Sequence, residues 1–310
     1  MEKGKNYVKK ENYGELYPMN VPDLLEKGNQ RKSENIHFKT FVIENMDLIE
    51  FPGNKITLSY CNLKQTVGEI CCFQENLIVE KRIDKIDDEK FYPDKLATND
   101  EKSYLFVSNR KKKFYVLILD KSFNKISIIE NKARNLAGLC FKKHKLYASD
   151  KKNDEILIYS TKENSFSFQN ASSIILDRQF RPIDLTANDS LLCVKLSIKE
   201  KIENVSPHLY FYSLKSNEFV YKLCCTTSDE SLSSFRIFVF GSEFYELNGR
   251  QKMLTCYKQE NDKIIKTEFS FKKEEIDPKC GYFVHFKGGL VMLAENNHEY
   301  TLLQISQINN

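Results

Sequence analysis

The stretch LCFKKHKLYASDKKNDEILIY, residues 139–159, holds an apolar run, a basic turn, a second apolar run at 146–149, a polar loop and a third run at 156–159. The third run is apolar on both faces, as expected of a strand sandwiched between neighbours. Such a three-strand meander cannot bury its own faces. The stretch therefore implies repetition.

A self-comparison of the chain finds the repeats. Leu139 and Leu146 lie seven residues apart across a turn, and the same pairing recurs as Ile49 with Ile56, Leu185 with Leu192, Ile237 with Phe244 and Phe283 with Leu290. Leu96 pairs with Leu105 across a turn two residues longer. The six anchors at 49, 96, 139, 185, 237 and 283 are about 47 residues apart on average. Between the paired runs lie Pro52-Gly53-Asn54, Asn188-Asp189, Gly241-Ser242 and Gly288-Gly289, which are hairpin-turn residues. A third strand is predicted at 70–73, 114–119, 156–159, 209–212, 253–257 and 300–305, and a fourth at 77–83, 125–129, 166–168, 219–223 and 264–269. The sixth unit lacks a fourth strand of its own. IHFKTFVI, residues 36–43, is a strand-like run just ahead of the first unit and is expected to supply it.

Six four-stranded units of this length predict an all-β fold, a six-bladed β-propeller whose ring is closed by an N-terminal strand. Closure covers each sheet face with a neighbour and leaves only short outer edges exposed. Period-two alternation, with no long amphipathic periodicity, excludes a helical solenoid. The domain reading is a polar arm over residues 1–35, with a short helix near 22–28, followed by the propeller over 36–310.

The composition is ordinary for a globular protein, with 41% hydrophobic and 29% charged residues. The net charge of +4 is far below a histone-like excess, so any anion-binding role must rest on where the charges sit. No signal-peptide core and no long apolar run is read, which predicts a cytoplasmic protein that does not cross a membrane. The nine cysteines show no C-x-x-C spacing, and most lie in apolar runs, as reduced core thiols would.

The run LYASDKKNDEILIY, at Leu146, Tyr147, Ala148, Asp150, Asn153 and Ile156, resembles the NHL repeat. Glu155 stands where that repeat usually has Arg. Other units match in rhythm, through Leu105, Phe106, Val107 and Asn109, and through Pro182, Ile183 and Leu185. The absence of Trp argues against tryptophan-aspartate repeats, and only 11 Gly argue against kelch blades. The resemblance implies a six-bladed propeller that docks protein or RNA. The RING, B-box and coiled-coil modules of larger family members are not read here.

In a propeller, loops between second and third strands emerge on the same rim as the links between blades. On that rim the sequence places Arg110, Lys111, Lys112 and Lys113, then Lys151 and Lys152, then Lys199 and Lys201. The links add Lys132 and Arg134, and then Arg178 and Arg181. Neighbouring links are acidic, with Asp84, Asp87, Asp88 and Glu89 on one side and Asp229 and Glu230 on the other. Phe180 lies between the two arginines, a setting in which a ring could stack on an unpaired base. The plain alternative is a solvated lysine-rich rim with Phe180 packed between blades.

The five histidines, His37, His144, His208, His285 and His298, show no metal-ligand spacing. No nucleophile elbow, P-loop or dinucleotide fingerprint occurs. No cofactor and no metal is expected. The reading is a non-catalytic scaffold that binds single-stranded RNA or an acidic protein segment on its basic rim. The alternative is a metal-dependent propeller hydrolase or lactonase, marked by several Asp, Glu, Asn or His groups converging in the central channel.

Overall fold

Four-stranded antiparallel sheets account for nearly all of the described chain. The structure is a computed structural model that describes residues 7–9, 16–18, 29–32, 45–51, 55–62, 67–74, 79–87, 89–99, 104–109, 115–130, 136–161, 168–199, 208–224, 237–248, 253–261, 263–270, 283–286, 289–296 and 299–306. Blade 1 runs Asn45–Phe51, Lys55–Asn62, Val67–Phe73 and Val79–Ile83. Blade 2 is Pro93–Thr98, Leu105–Asn109, Tyr115–Leu119 and Lys125–Glu130, and blade 3 is Leu136–Lys142, Lys145–Asp150, Glu155–Thr161 and Phe168–Ile175. Blade 4 is Phe180–Ala187, Leu191–Ile198, His208–Ser213 and Phe219–Cys224. Blade 5 is Ile237–Phe240, Glu243–Asn248, Met253–Glu260 and Lys263–Ser270. Blade 6 takes Phe283–Phe286, Gly289–Asn296 and Glu299–Ser306, and is completed by Asn29–Lys32. The first strands of consecutive blades touch in cyclic order, and that of blade 6 returns to that of blade 1. The chain is a six-bladed β-propeller.

Blade packing explains why so many strands are apolar on both faces. In blade 2, Leu105 and Val107 join Ile70 and Cys72 of blade 1, whereas Phe106 joins Leu139 and Leu146 of blade 3. The same alternation continues through blade 4 to blade 5, where Cys193 and Phe211 meet Phe244 and Tyr257. A strand between two buried interfaces has no solvent face on which to place polar residues. Cys71, Cys72, Cys193 and Cys256 are buried, and Cys140 is half-buried. Among the described residues, no helix is long and apolar enough to cross a membrane.

Two strand expectations are corrected. The ring is closed by an N-terminal strand, but the segment paired with Glu299–Ser306 is Asn29–Lys32, joined through Leu303 opposite Lys32 and Ser306 opposite Asn29. It lies within the stretch expected to be a polar arm. Its sequence, NQRK, has no apolar residue, and as the last strand of its sheet it need not fit between two strands. Apolar content alone favours residues 36–43 instead. Those residues, like the helix expected near 22–28, lie outside the described residues. The fourth strand of blade 3 is Phe168–Ile175 rather than 166–168, and its serines are exposed for the same reason.

Candidate binding face

The rim that carries the strand 2–3 turns and the inter-blade links is best defined between blades 3 and 4. In the turn of blade 3, the Asp150 carboxylate accepts hydrogen bonds from the amides of Lys152 at 2.9 Å and Asn153 at 3.4 Å, and from the Asn153 side chain at 2.8 Å. The Asp and Asn of the quoted motif thus close this turn on itself. Asp154 then adopts a left-handed φ of 56°, and its carbonyl accepts the amide of Leu176 at 2.9 Å. The following link folds over Asp177, whose carboxylate accepts the Gln179 amide at 3.2 Å and the Gln179 side chain at 3.0 Å. Lys199, from the strand 2–3 loop of blade 4, pairs with the Asp154 carboxylate. Its amide donates to the Gln179 carbonyl at 3.0 Å. Turn, link and loop are therefore laced together.

On this platform Lys152 and Arg178 are exposed, and Lys151 and Arg181 are partly exposed. The structure places these four and Lys199 along the turn, link and loop just described, and Lys199 is engaged by Asp154. Arg110, Lys111, Lys112, Lys113, Lys132, Arg134 and Lys201 lie outside the described residues. In the acidic link between blades 1 and 2, Asp87 pairs with Lys125 of the blade 2 outer strand.

Phe180 requires a correction. It is 4% exposed, with its ring centroid 5.0 Å from that of His208 and 5.6 Å from that of Tyr210. It belongs to the core between blades 3 and 4 with Tyr147, Ile156 and Leu196. A ring covered in this way has no face for a base. Its arginine neighbours on the chain suggested exposure, but as the first residue of an inner strand it points into the inter-blade core.

The inner strands repeat a second feature. In blades 2 and 3 a bulge sets two residues opposite one serine, and that serine accepts an amide of the bulge: Lys95 N–H to Ser108 Oγ, and Gly138 N–H to Ser149 Oγ, both at 2.7 Å. In blade 4 the bulge residues are Ile183 and Asp184, and opposite them stands Lys195 instead of a serine. A Cβ on Gly138 would lie 2.7 Å from the Leu185 amide nitrogen, so only glycine lets blade 3 approach Asp184 this closely. Lys195 is 2% exposed, and its ammonium is 2.5 Å from Glu246 Oε1 of blade 5. The Tyr257 hydroxyl donates to Glu246 Oε2 at 2.9 Å. Asp184 Oδ2 accepts the Ile237 amide at 3.0 Å. Burial pushes the Asp184 carboxyl up to about 6, against the lowering influence of Lys95, the Ile237 and Leu185 amides, and Lys195.

This charged seam between blades was not singled out from the sequence. The available signal was a lone lysine inside the apolar run LLCVKL and a lone glutamate inside FYEL. The seam joins opposite charges, which suits a structural role. Among the described residues, no three His, Cys, Asp or Glu side chains converge to hold a metal ion. Burial pushes the Cys72 and Cys256 thiols up to about 12, opposite to the depression that makes a thiol nucleophilic.

Solved structures share this architecture. The β-propeller domain of Cps50 (Swd1) from Myceliophteria thermophila aligns over 90% of this chain and 100% of its own, with a TM-score of 0.58 and 8% identity. The RRP9 WD40 repeats align over 88% of this chain and 97% of theirs, with a TM-score of 0.53 and 10% identity. U3-55K aligns over 90% of this chain and 99% of its own, with a TM-score of 0.54 and 11% identity. No family model and no curated protein matches the chain. At these identities the likeness is one of fold. It includes WD40 propellers although this chain has no Trp, because blade geometry depends on apolar alternation and not on that dipeptide.

Proposed function

We propose that the chain is a non-catalytic docking module whose rim between blades 3 and 4 binds an acidic protein segment. The observation that carries this reading is the exposure of Lys152 and Arg178 on a backbone platform tied down by Asp150, Asp154 and Asp177. An anchored backbone beneath these cations removes the cost of ordering the loops when they meet carboxylates. Single-stranded RNA would meet the same charges, but with Phe180 buried the described rim gives it phosphate contacts and no stacking ring. The acidic segment is therefore the better fit.

The test is binding of a fluorescent oligo-glutamate peptide, with homopolymeric RNA as competitor, to the wild type and to the Lys151→Glu, Lys152→Glu, Arg178→Glu variant. Peptide affinity should fall at least about tenfold in the variant. Undiminished peptide binding by the variant would refute the site. Preferential binding of RNA would reassign the ligand.

A further inference from the structure

The outer strand of blade 3 differs from the other five. Its sequence, FQNASSII, has no charged residue. The others read VEKRI, KISIIE, FVYKLC, KIIKTEFS and NQRK, each with at least one Lys, Arg or Glu. Charges on an edge strand discourage other chains from pairing with its free amides and carbonyls. A bulge also disturbs the outer strands of blades 1 to 4, at Glu80, Ile126, Ala171 and Val220, so it does not set blade 3 apart. What does is the half-strand beyond the bulge. Ser172 and Ser173 are exposed there, and Ile175 is 80% exposed, the most exposed large apolar side chain among the described residues. No described strand pairs with the outer side of this one. The strand also ends at the cationic rim: Ile175 lies opposite Glu155, next to the turn that bears Lys152, and Arg178 follows in the link.

We propose that this edge is a strand-addition site, at which an extended acidic segment of a protein partner pairs with residues 172–175 and sets its carboxylates against Lys152 and Arg178. The inference rests on the rim reading above and adds the conformation in which the ligand binds. Main-chain hydrogen bonds supply affinity in this mode, and the cations select the partner.

The probe is a labelled peptide of about ten residues, a short Asp/Glu block joined to alternating Val and Thr, made in both chain orders. A twin is N-methylated at alternate residues of the Val/Thr half, which removes strand donors and keeps every charge. By fluorescence anisotropy against the full chain, the parent peptide should bind at least about tenfold tighter than the twin. Hydrogen exchange at residues 172–175 should slow when the parent is bound. Equal binding of parent and twin, with both lost in the Lys152→Glu, Arg178→Glu variant, overturns strand addition and leaves the rim site standing. If neither peptide binds while oligo-glutamate does, strand addition again fails alone. If oligo-glutamate also fails to bind, the rim reading falls with it.

Discussion

Two buried charges show how single residues set the energetics of this ring. Lys195 and Glu246 neutralise each other between blades 4 and 5, with Tyr257 completing the glutamate's hydrogen bonding. Lys195→Met alone leaves a carboxylate buried without its cation, and should lower unfolding free energy by about 3–5 kcal/mol. Adding Glu246→Leu should recover most of that loss, as read by urea unfolding; a single variant as stable as wild type would show that the pair is not coupled. Asp184 gives a pH signature. Its folded-state value, about 6, lies above the ordinary 3.8, so the group's contribution to stability is complete below the lower value and is lost as pH rises through the upper. Asp184→Asn can keep the acceptor for Ile237 and cannot ionise. Between about pH 4 and pH 7 its stability should therefore rise relative to wild type. Parallel wild-type and variant curves in urea titrations at the two pH values would contradict the shift. The lone lysine in LLCVKL and the lone glutamate in FYEL are both visible in the sequence, but their pairing across some fifty residues is not.

At the scale of the element, the strand rhythm was legible because each paired run faces two buried interfaces. The strands that escaped this reading are outer ones, Asn29–Lys32 and Phe168–Ile175, which lie at the edge of their sheets. Closure by Asn29–Lys32 leads to a deletion test. Removing residues 1–28 should leave blade 6 intact, whereas removing residues 1–33 strips its outer strand and exposes the edge of Glu299–Ser306. The longer deletion should aggregate or melt markedly lower in size-exclusion and thermal scans. Identical behaviour of the two truncations would mean that this strand does not contribute to closure.

At the scale of the whole molecule, a net charge of +4 leaves any field to the placement of individual charges, and the proposed site rests on the exposed Lys152 and Arg178. Exposed charges act within about 10 Å at moderate salt, so acidic-peptide affinity should weaken at least about tenfold between roughly 50 and 300 mM salt. Lys152→Glu with Arg178→Glu should flatten that dependence and leave stability within about 0.5 kcal/mol, as expected of surface changes. Phe180→Ala should do the reverse: a loss of about 3–5 kcal/mol in urea unfolding, with the salt dependence of binding unchanged in the folded fraction. A salt-insensitive wild type would remove the electrostatic basis of the site. By itself the sequence determined the number of blades and the position of the inner strands. These follow from a period of about 47 residues and from apolar alternation, both of which are local properties of the chain. Only the tertiary structure decided that Phe180 is core, that Lys199 is held by Asp154, that Lys195 meets Glu246, and that NQRK closes the ring. Each of these is a contact between blades or between chain ends, set by which faces the ring brings together, and no pattern within one repeat records it.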